Sequence, residues 1–358
     1  MKKILVVNPF GIGDVLFTTP VVRVLKQKFP GSYIAFLCNR RSGSVLVNNP
    51  GIDELFFFTR GDLKEERKIS YFRYLRKLVF AVWKLWSKRF DLVVDLSLVN
   101  QYSVIFWLVG IKERWGIDYK GRGRFLTKKI SIPGFSGKHV IDYYRELMEY
   151  AGILGFENKT ELFLSAADRS WADNFLRENN INRSKIKIFG IAPFGGESWG
   201  VDAKLKQWPS ERFTETARRI LKNYPAKIIF FGTKNDFAEA ELMKNDLSSP
   251  DVLNVSGKTS LGQLAAMISE CDLFISNDCG PMHMACALGV KTVSLFGPVD
   301  DKVYGPIGGK LRHQVAAGNI ACRPCYADFR KPLCGDPRCM REVMVDQVYK
   351  LIEGLNEK

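Results

Sequence analysis

Asp278, Gly280 and His283 fall within six residues of one another, in Asn277-Asp-Cys-Gly-Pro-Met-His283. The acid follows an apolar run, Asp272-Leu-Phe-Ile-Ser276, that reads as a buried strand, and Gly280 stands where a helix would begin. Backbone N–H groups and the positive end of such a helix form an anion site, suited to a nucleotide phosphate. Two more glycines, Gly195 and Gly196, follow the apolar run Lys187–Ala192 and can bring backbone close to a ligand. Lys206 lies just ahead of Trp208-Pro209 and could neutralise phosphate charge, although a lone lysine is more often a solvated surface group. Near the other end of the chain, Asp14 follows Gly11 and Gly13 directly after an apolar strand, Ile4–Val7. A carboxylate there can take a proton from a hydroxyl. It can equally be an acid in the first turn of a helix, stabilised by the dipole.

Two tempting motifs fail. Gly11-x-Gly13 lacks the third glycine of a dinucleotide fingerprint, since Leu16 occupies that place. The second strand ends in Cys38-Asn-Arg-Arg41, where an NAD enzyme carries an acid for the ribose. Ser256-Gly-Lys-Thr259 would need a glycine at position 252 to be a phosphate-binding P-loop, and Val252 is there.

The elements that must position these residues alternate. Ile4–Val7, Tyr33–Cys38 and 91–96 read as strands in the first half, with helix between. The pattern restarts after a polar stretch at 160–185. There Lys187–Ala192, 226–231 and Val252–Asn254 read as strands, while Ser210–Asn223, 238–246 and Leu261–Ser269 read as helices. Strand, helix and parallel strand in repeated order predict an α/β protein of two Rossmann-like domains, facing each other across a cleft. The boundaries expected are 1–170, 185–340 and a closing helix in 341–358 that packs back on the first domain.

The formal charge is +15, and residues 1–160 hold almost all of it, with 27 basic to 14 acidic side chains. Such asymmetry points that half toward an acidic partner. No apolar run approaches the ~18 to 20 residues that span a bilayer, and a cytoplasmic protein is expected. Ser70–Arg89 reads as an amphipathic helix. Phe72, Leu75, Val79, Val82, Trp83 and Trp86 share one face, and Arg73, Lys77, Lys84 and Lys88 lie opposite. The plain expectation packs the apolar face on the sheet. The sharper one leans the helix on an anionic membrane interface. A nucleic-acid partner is not expected, since neither a reading helix nor an aromatic RNA platform is recognisable.

Four of the eight cysteines fall in one stretch, Cys322, Cys325, Cys334 and Cys339. In a cytosolic protein, four thiolates at this density suit a tetrahedral structural zinc ion. Reduced thiols are the other reading, with an iron–sulfur cluster third.

Together the Gly-x-Gly-Asp near the N-terminus with Pro20 after it, Lys-x-Trp-Pro at Lys206–Pro209, and Asn-Asp-x-Gly-x-x-His with Gly-Pro beyond it resemble the heptosyltransferases of lipopolysaccharide synthesis, glycosyltransferase family 9. The resemblance covers nearly the whole chain, with the motifs in order. It implies a GT-B fold and an inverting sugar transfer from ADP-heptose to a phosphorylated Kdo–lipid A core, with peripheral contact at the cytoplasmic face of the inner membrane. Asp14 then matches the general base. Gly195, Gly196, Lys206, Asp278, Gly280 and His283 meet the donor, and no cofactor is required for catalysis. Gly13, Arg40, Arg41 and Arg122, in the Lys120-Gly-Arg-Gly-Arg124 loop, are acceptor contacts. In Gly232-Thr-Lys-Asn-Asp236 the chain has Lys234 where a relative carries an acid for the nucleoside, so Asp236 is the candidate for that contact. The alternatives are a transferase of another nucleotide sugar, or an idle nucleotide-sugar-binding protein of the same fold.

Overall fold

A computed structural model describes residues 1–57, 70–196, 199–327, 329–331 and 334–356. The chain divides into two compact units, Met1–Glu161 and Leu162–Lys358.

The first unit runs β1 (Lys3–Val7), α1 (Ile12–Phe17), α2 (Thr19–Lys28), β2 (Tyr33–Cys38), α3 (Arg40–Gly43), β3 (Glu54–Phe57), α4 (Tyr71–Lys88), β4 (Leu92–Asp95), α5 (Asn100–Leu108), β5 (Glu113–Tyr119), β6 (Lys128–Ile132) and α6 (Val140–Tyr150). The second runs α7 (Ala166–Glu178), β7 (Lys187–Ala192), α8 (Ser210–Asn223), β8 (Ala226–Phe230), α9 (Phe237–Leu247), β9 (Val252–Asn254), α10 (Leu261–Ser269), β10 (Leu273–Asn277), α11 (Gly280–Ala287), β11 (Lys291–Phe296), α12 (Asp301–Tyr304), β12 (His313–Ala317), α13 (Arg338–Arg341) and α14 (Val345–Asn356).

Each unit holds one parallel sheet of six strands, ordered β3-β2-β1-β4-β5-β6 and β12-β11-β10-β7-β8-β9. Counted from its own first strand, the second order is the first reversed, so the two units share a topology. The chain changes direction across each sheet between β1 and β4, and between β7 and β10. Loops at the carboxyl ends of those strands diverge and leave a crevice for ligands. The central strands are buried along both faces, which is why Ile4–Val7 and Leu273–Ile275 read as continuous apolar runs.

The break between units follows Glu161, at the start of the polar stretch. Helix α7 therefore belongs to the second unit: the Gly262 backbone on α10 comes so close to Asp168 that a Cβ there would lie 2.5 Å from the carboxylate. The closing helix α14 also sits on the second unit. Val348, Ile352 and Leu355 enter the core with Phe213 and Val293, and Lys291 donates to the carbonyl of Leu355 at 2.6 Å. The expected return of this helix to the first domain is not where its apolar face lies.

Helix α4 reverses the plain expectation from its sequence. Its sheet side is made by Leu78, Ala81, Val82 and Leu85, while Phe72, Val79, Trp83 and Trp86 face outward. The outward stripe was expected to be the packed one. Lys84 and Lys88 turn inward instead and bind Glu54 on β3. A carboxylate on the neighbouring strand thus selects which side of the helix is down.

Candidate active site

On the second unit, the switch point is built from two connections, β7–α8 and β10–α11. Asn277, the last residue of β10, accepts from the Trp208 backbone N–H at 3.0 Å and donates to the Pro193 carbonyl at 2.6 Å. One buried amide thus ties the loop after β7 to the segment that carries Lys206. Gly195 lets that segment approach: a Cβ there would stand 2.4 Å from the Ala203 carbonyl oxygen. Gly196 has φ +68, a conformation few side chains accept. The 3₁₀ turn Gly200–Lys206 then delivers the ammonium inward.

Lys206 is 5% exposed and Asp278 7%. The ammonium reaches the Asp278 carboxylate at 3.0 Å and its main-chain carbonyl at 2.9 Å. It also lies 4.9 Å from the centre of the Trp199 ring, a cation–π contact. The solvated-lysine reading of Lys206 is therefore corrected. His283 Nε2 stands 4.0 Å from the other Asp278 oxygen. Cys279 is the N-cap of α11 and Pro281 lies in its first turn, so the first N–H groups of the helix open beside Asp278. A buried cation, a helix start and the Gly195-Gly196 turn meet at one end of the sheet, an arrangement that can hold an anion.

Asp236 sits at the carboxyl end of β8, on the same edge. Its carboxylate accepts from the Thr233 N–H and hydroxyl, both at 2.7 Å, as the capping box of a short 3₁₀ turn. Its first role is to shape the turn that follows Gly232.

On the first unit, Asp14 lies in the first turn of α1, where its carboxylate accepts from the Gly11 N–H at 3.0 Å. Asn8 donates to the Asp14 carbonyl at 3.0 Å and to the Thr18 hydroxyl at 2.8 Å, and Tyr144 of α6 lies 3.5 Å from the same amide. Burial, with the Asp14 charge behind it, raises the Tyr144 phenol pKa well above its ordinary value. Asn8, Thr18 and Tyr144 were not singled out from sequence. Asn8 had a signal, adjacency to the glycine turn, whereas Tyr144 is brought in only by tertiary structure.

Gly13 shares that turn, and Arg40 and Arg41 lie beside it. Asn39 caps α3 by accepting from Ser42 and donates to the carbonyls of Pro9 and Phe10, which pins the β2 end to the glycine loop. The Arg40 guanidinium lies 5.2 Å from the Phe57 ring. Arg122 follows β5, two strands from β1 on the same edge, with its guanidinium 5.0 Å from the Tyr119 ring.

Among the described residues no group of three or more His, Cys, Asp or Glu side chains could hold a metal ion. The four clustered cysteines are described, and all four are free thiols outside any such group. They do share a neighbourhood. The Cys325 and Cys339 thiols are raised by burial first, then by the charges of the other clustered cysteines. This stretch braces the turn that carries Lys206: Tyr326 packs on Trp199 at 5.1 Å, and Lys331 donates to the Trp199 carbonyl at 2.6 Å.

A family model described as glycosyltransferase family 9 (heptosyltransferase) matches residues 79–332, most of the chain. The chain belongs to glycosyltransferase family 9. This family 9 chain is 26% identical over 304 residues to a lipopolysaccharide core heptosyltransferase, OpsX, of Haemophilus influenzae, covering 82% of this chain and 79% of that protein. It is 23% identical to lipopolysaccharide heptosyltransferase 2 of Escherichia coli over 340 residues, 89% of this chain and 92% of that one. A solved family 9 protein from Veillonella parvula superposes with a TM-score of 0.80 at 25% identity, over 100% of this chain and 98% of the other. The ADP-heptose heptosyltransferase II of Escherichia coli superposes at 0.75 with 20% identity, over 99% and 98%. The fold is of the GT-B type, and the enzyme is a glycosyltransferase.

Proposed function

We propose that this family 9 enzyme moves a heptose, with inversion, from ADP-heptose to the inner core of a lipopolysaccharide precursor. The observation that carries the donor half is the buried Lys206–Asp278 pair at the mouth of α11. In this reading the diphosphate lies over the α11 amides and Lys206. As the anomeric C–O bond breaks, the electron pair leaves with the nucleoside diphosphate, whose charge those groups stabilise. Preorganised donors of this kind contribute about 2.7–4 kcal/mol each in other enzymes. Asp14 takes the proton of the acceptor hydroxyl while its oxygen attacks the anomeric carbon from the opposite side. The basic first unit, through Arg40, Arg41 and Arg122, meets the phosphorylated core, and a lipid-linked acceptor brings the enzyme to a membrane face.

The support is the family, the match of relatives that are heptosyltransferases, and an acid at the strand-one turn. The test is Asp14→Asn, which keeps an acceptor for the Gly11 N–H but cannot take the proton. Turnover with ADP-heptose and a Kdo–lipid A acceptor, read by product mass, is expected to fall about 10²–10⁴-fold, with ADP affinity unchanged. Turnover within a few-fold of the parent would remove Asp14 from the role. Transfer from a different nucleotide sugar in the same assay, and not from ADP-heptose, would replace the donor.

A further inference from the structure

Helix α4 is amphipathic with the wrong face out. Phe72 is 75% exposed, Trp83 54% and Trp86 55%, with Val79 between them on one stripe and Phe80 beside it. At about 100° per residue, Phe72, Val79, Trp83 and Trp86 fall within one narrow sector, opposite the packed Ala81 and Leu85. Beneath the helix a cavity of about 270 Å³ remains, lined by Leu55, Phe56, Leu78, Leu85 and Phe106 among others. The underside is thus incompletely filled, and a contiguous apolar stripe of this size marks a contact surface. Polar staples hold the helix in this pose: Glu54 binds both Lys84 and Lys88, and Lys88 reaches the Tyr33 hydroxyl.

Charge identifies what covers the stripe. The helix carries five basic residues and no acidic one. Arg73 and Arg76 are exposed along one flank. A second copy packed stripe to stripe would bring these cations against their own kind, which costs free energy. An anionic bilayer satisfies both halves at once. Tryptophan is favoured at the level of the headgroups, and each cation near an anionic leaflet adds attraction.

We propose that α4 is the membrane-docking element of this enzyme. It lies in the plane of an anionic bilayer, with Phe72, Val79, Trp83 and Trp86 in the headgroup–acyl boundary and Arg73 and Arg76 at the phosphates. This placement rests on the lipid-linked acceptor reading only for why a bilayer is at hand, and it can be measured without any sugar.

The experiment is co-sedimentation of the full chain with phosphatidylcholine vesicles and with phosphatidylcholine–phosphatidylglycerol vesicles, at low and high salt. The parent is expected to bind the anionic vesicles and to release as salt rises. Trp83→Ser with Trp86→Ser is expected to weaken binding about tenfold or more, from the apolar burial lost. Phe72→Ser, at the other end of the stripe, gives an independent reading. Arg73→Gln with Arg76→Gln is expected to abolish the preference for anionic vesicles. An unchanged ADP-induced thermal shift reports that the second unit is intact in each variant. No vesicle binding by the parent, or binding unaltered by the Trp and Phe changes, overturns the proposal. So does a Trp variant whose only change is from dimer to monomer. Vesicle binding without sugar transfer would instead leave the docking element standing and refute the acceptor reading.

Discussion

Replacing Asp278 by Asn should destabilise the free enzyme and make it depend on its nucleotide. Lys206 is almost wholly buried and has three contacts: the Asp278 carboxylate, the carbonyl of the same residue, and the Trp199 ring. The substitution removes only the negative charge from the first, since the amide oxygen can still accept. Breaking a buried ion pair from one side costs about 3–5 kcal/mol, because the remaining charge stays buried without its partner. With the carbonyl and ring retained, the loss should fall near the low end, about 3 kcal/mol. For a unit of this size each kcal/mol is worth roughly 2–4 °C in melting temperature, so a drop of about 6–12 °C is expected. Added ADP supplies two phosphates in place of the lost carboxylate. It should therefore raise the melting temperature of the Asn variant further than that of the parent. Lys206→Met leaves a buried carboxylate instead, should be destabilised on the same scale, and should gain little from ADP. The double variant buries no charge from the pair, so its loss should be smaller than the two single losses added, by about 1 kcal/mol or more. Calorimetry of the four proteins with and without ADP decides it. Strictly additive losses, or an Asp278→Asn protein melting at the parent's temperature, would refute the view that these two groups form one neutral, desolvated unit awaiting a diphosphate.

Gly195→Ala places a methyl 2.4 Å from the Ala203 carbonyl, so the Lys206 turn must retreat. A loss of about 1–3 kcal/mol in denaturant unfolding is expected together with weaker ADP binding, and a neutral result would deny the close approach its role. Asp95 is buried at the end of β4, and burial, only partly opposed by Ser97, pushes its carboxyl up to about 6. The raised value means that stability falls as pH rises from about 4 to about 6, where the folded protein must ionise the group. Asp95→Asn keeps an acceptor for the Ser97 N–H and should flatten that limb, gaining about 2–3 kcal/mol at pH 7 and nothing below about pH 4; parallel pH–stability curves would contradict it. Glu54 behaves oppositely: burial raises its carboxyl, but Lys88, Tyr33 and Lys84 outweigh this and hold it at about 2. Its contribution is present above the unfolded value and fades as pH falls toward about 2. Glu54→Gln should therefore cost about 1 kcal/mol at pH 7, with a difference from the parent that shrinks in acid and no change in ADP affinity.

Much of the second unit was legible because its elements obey local rules. Ser210–Asn223 and Leu261–Ser269 match the observed helices end to end, since proline or serine marks the start of each and the apolar period fills the rest. The first unit was half legible. β5, Glu-Arg-Trp-Gly-Ile-Asp-Tyr, and β6, Lys-Lys-Ile-Ser-Ile, lie toward the sheet edge and carry charge, so no apolar run announces them. The glycine turn gives no sign that the helical stretch after it divides into α1 and α2 at Thr18, whose hydroxyl turns back to the Asp14 carbonyl. The orientation of α4 was illegible in principle. Its own period offers two faces, and the choice between them is made by Glu54 on another strand.

The two candidate clusters were legible to different degrees for one reason. The units share a strand order, and a switch point falls after the first strand in each. The fold therefore presents the same kind of crevice twice, and only the loop residues make them different. After β7 and β10 those residues are two glycines, an amide and an acid that receives a lysine from farther along the β7–α8 connection, and the result is a cradle with its cation already inside. After β1 they are glycines and an acid held by its own helix turn, with cations kept at the rim on α3. A fold with this symmetry gains two unlike clusters by changing a few residues at equivalent strand ends. That is why motifs of about four to seven residues name most members of both clusters, while the burial of Lys206 is explained only by the Gly195 contact that brings its turn in.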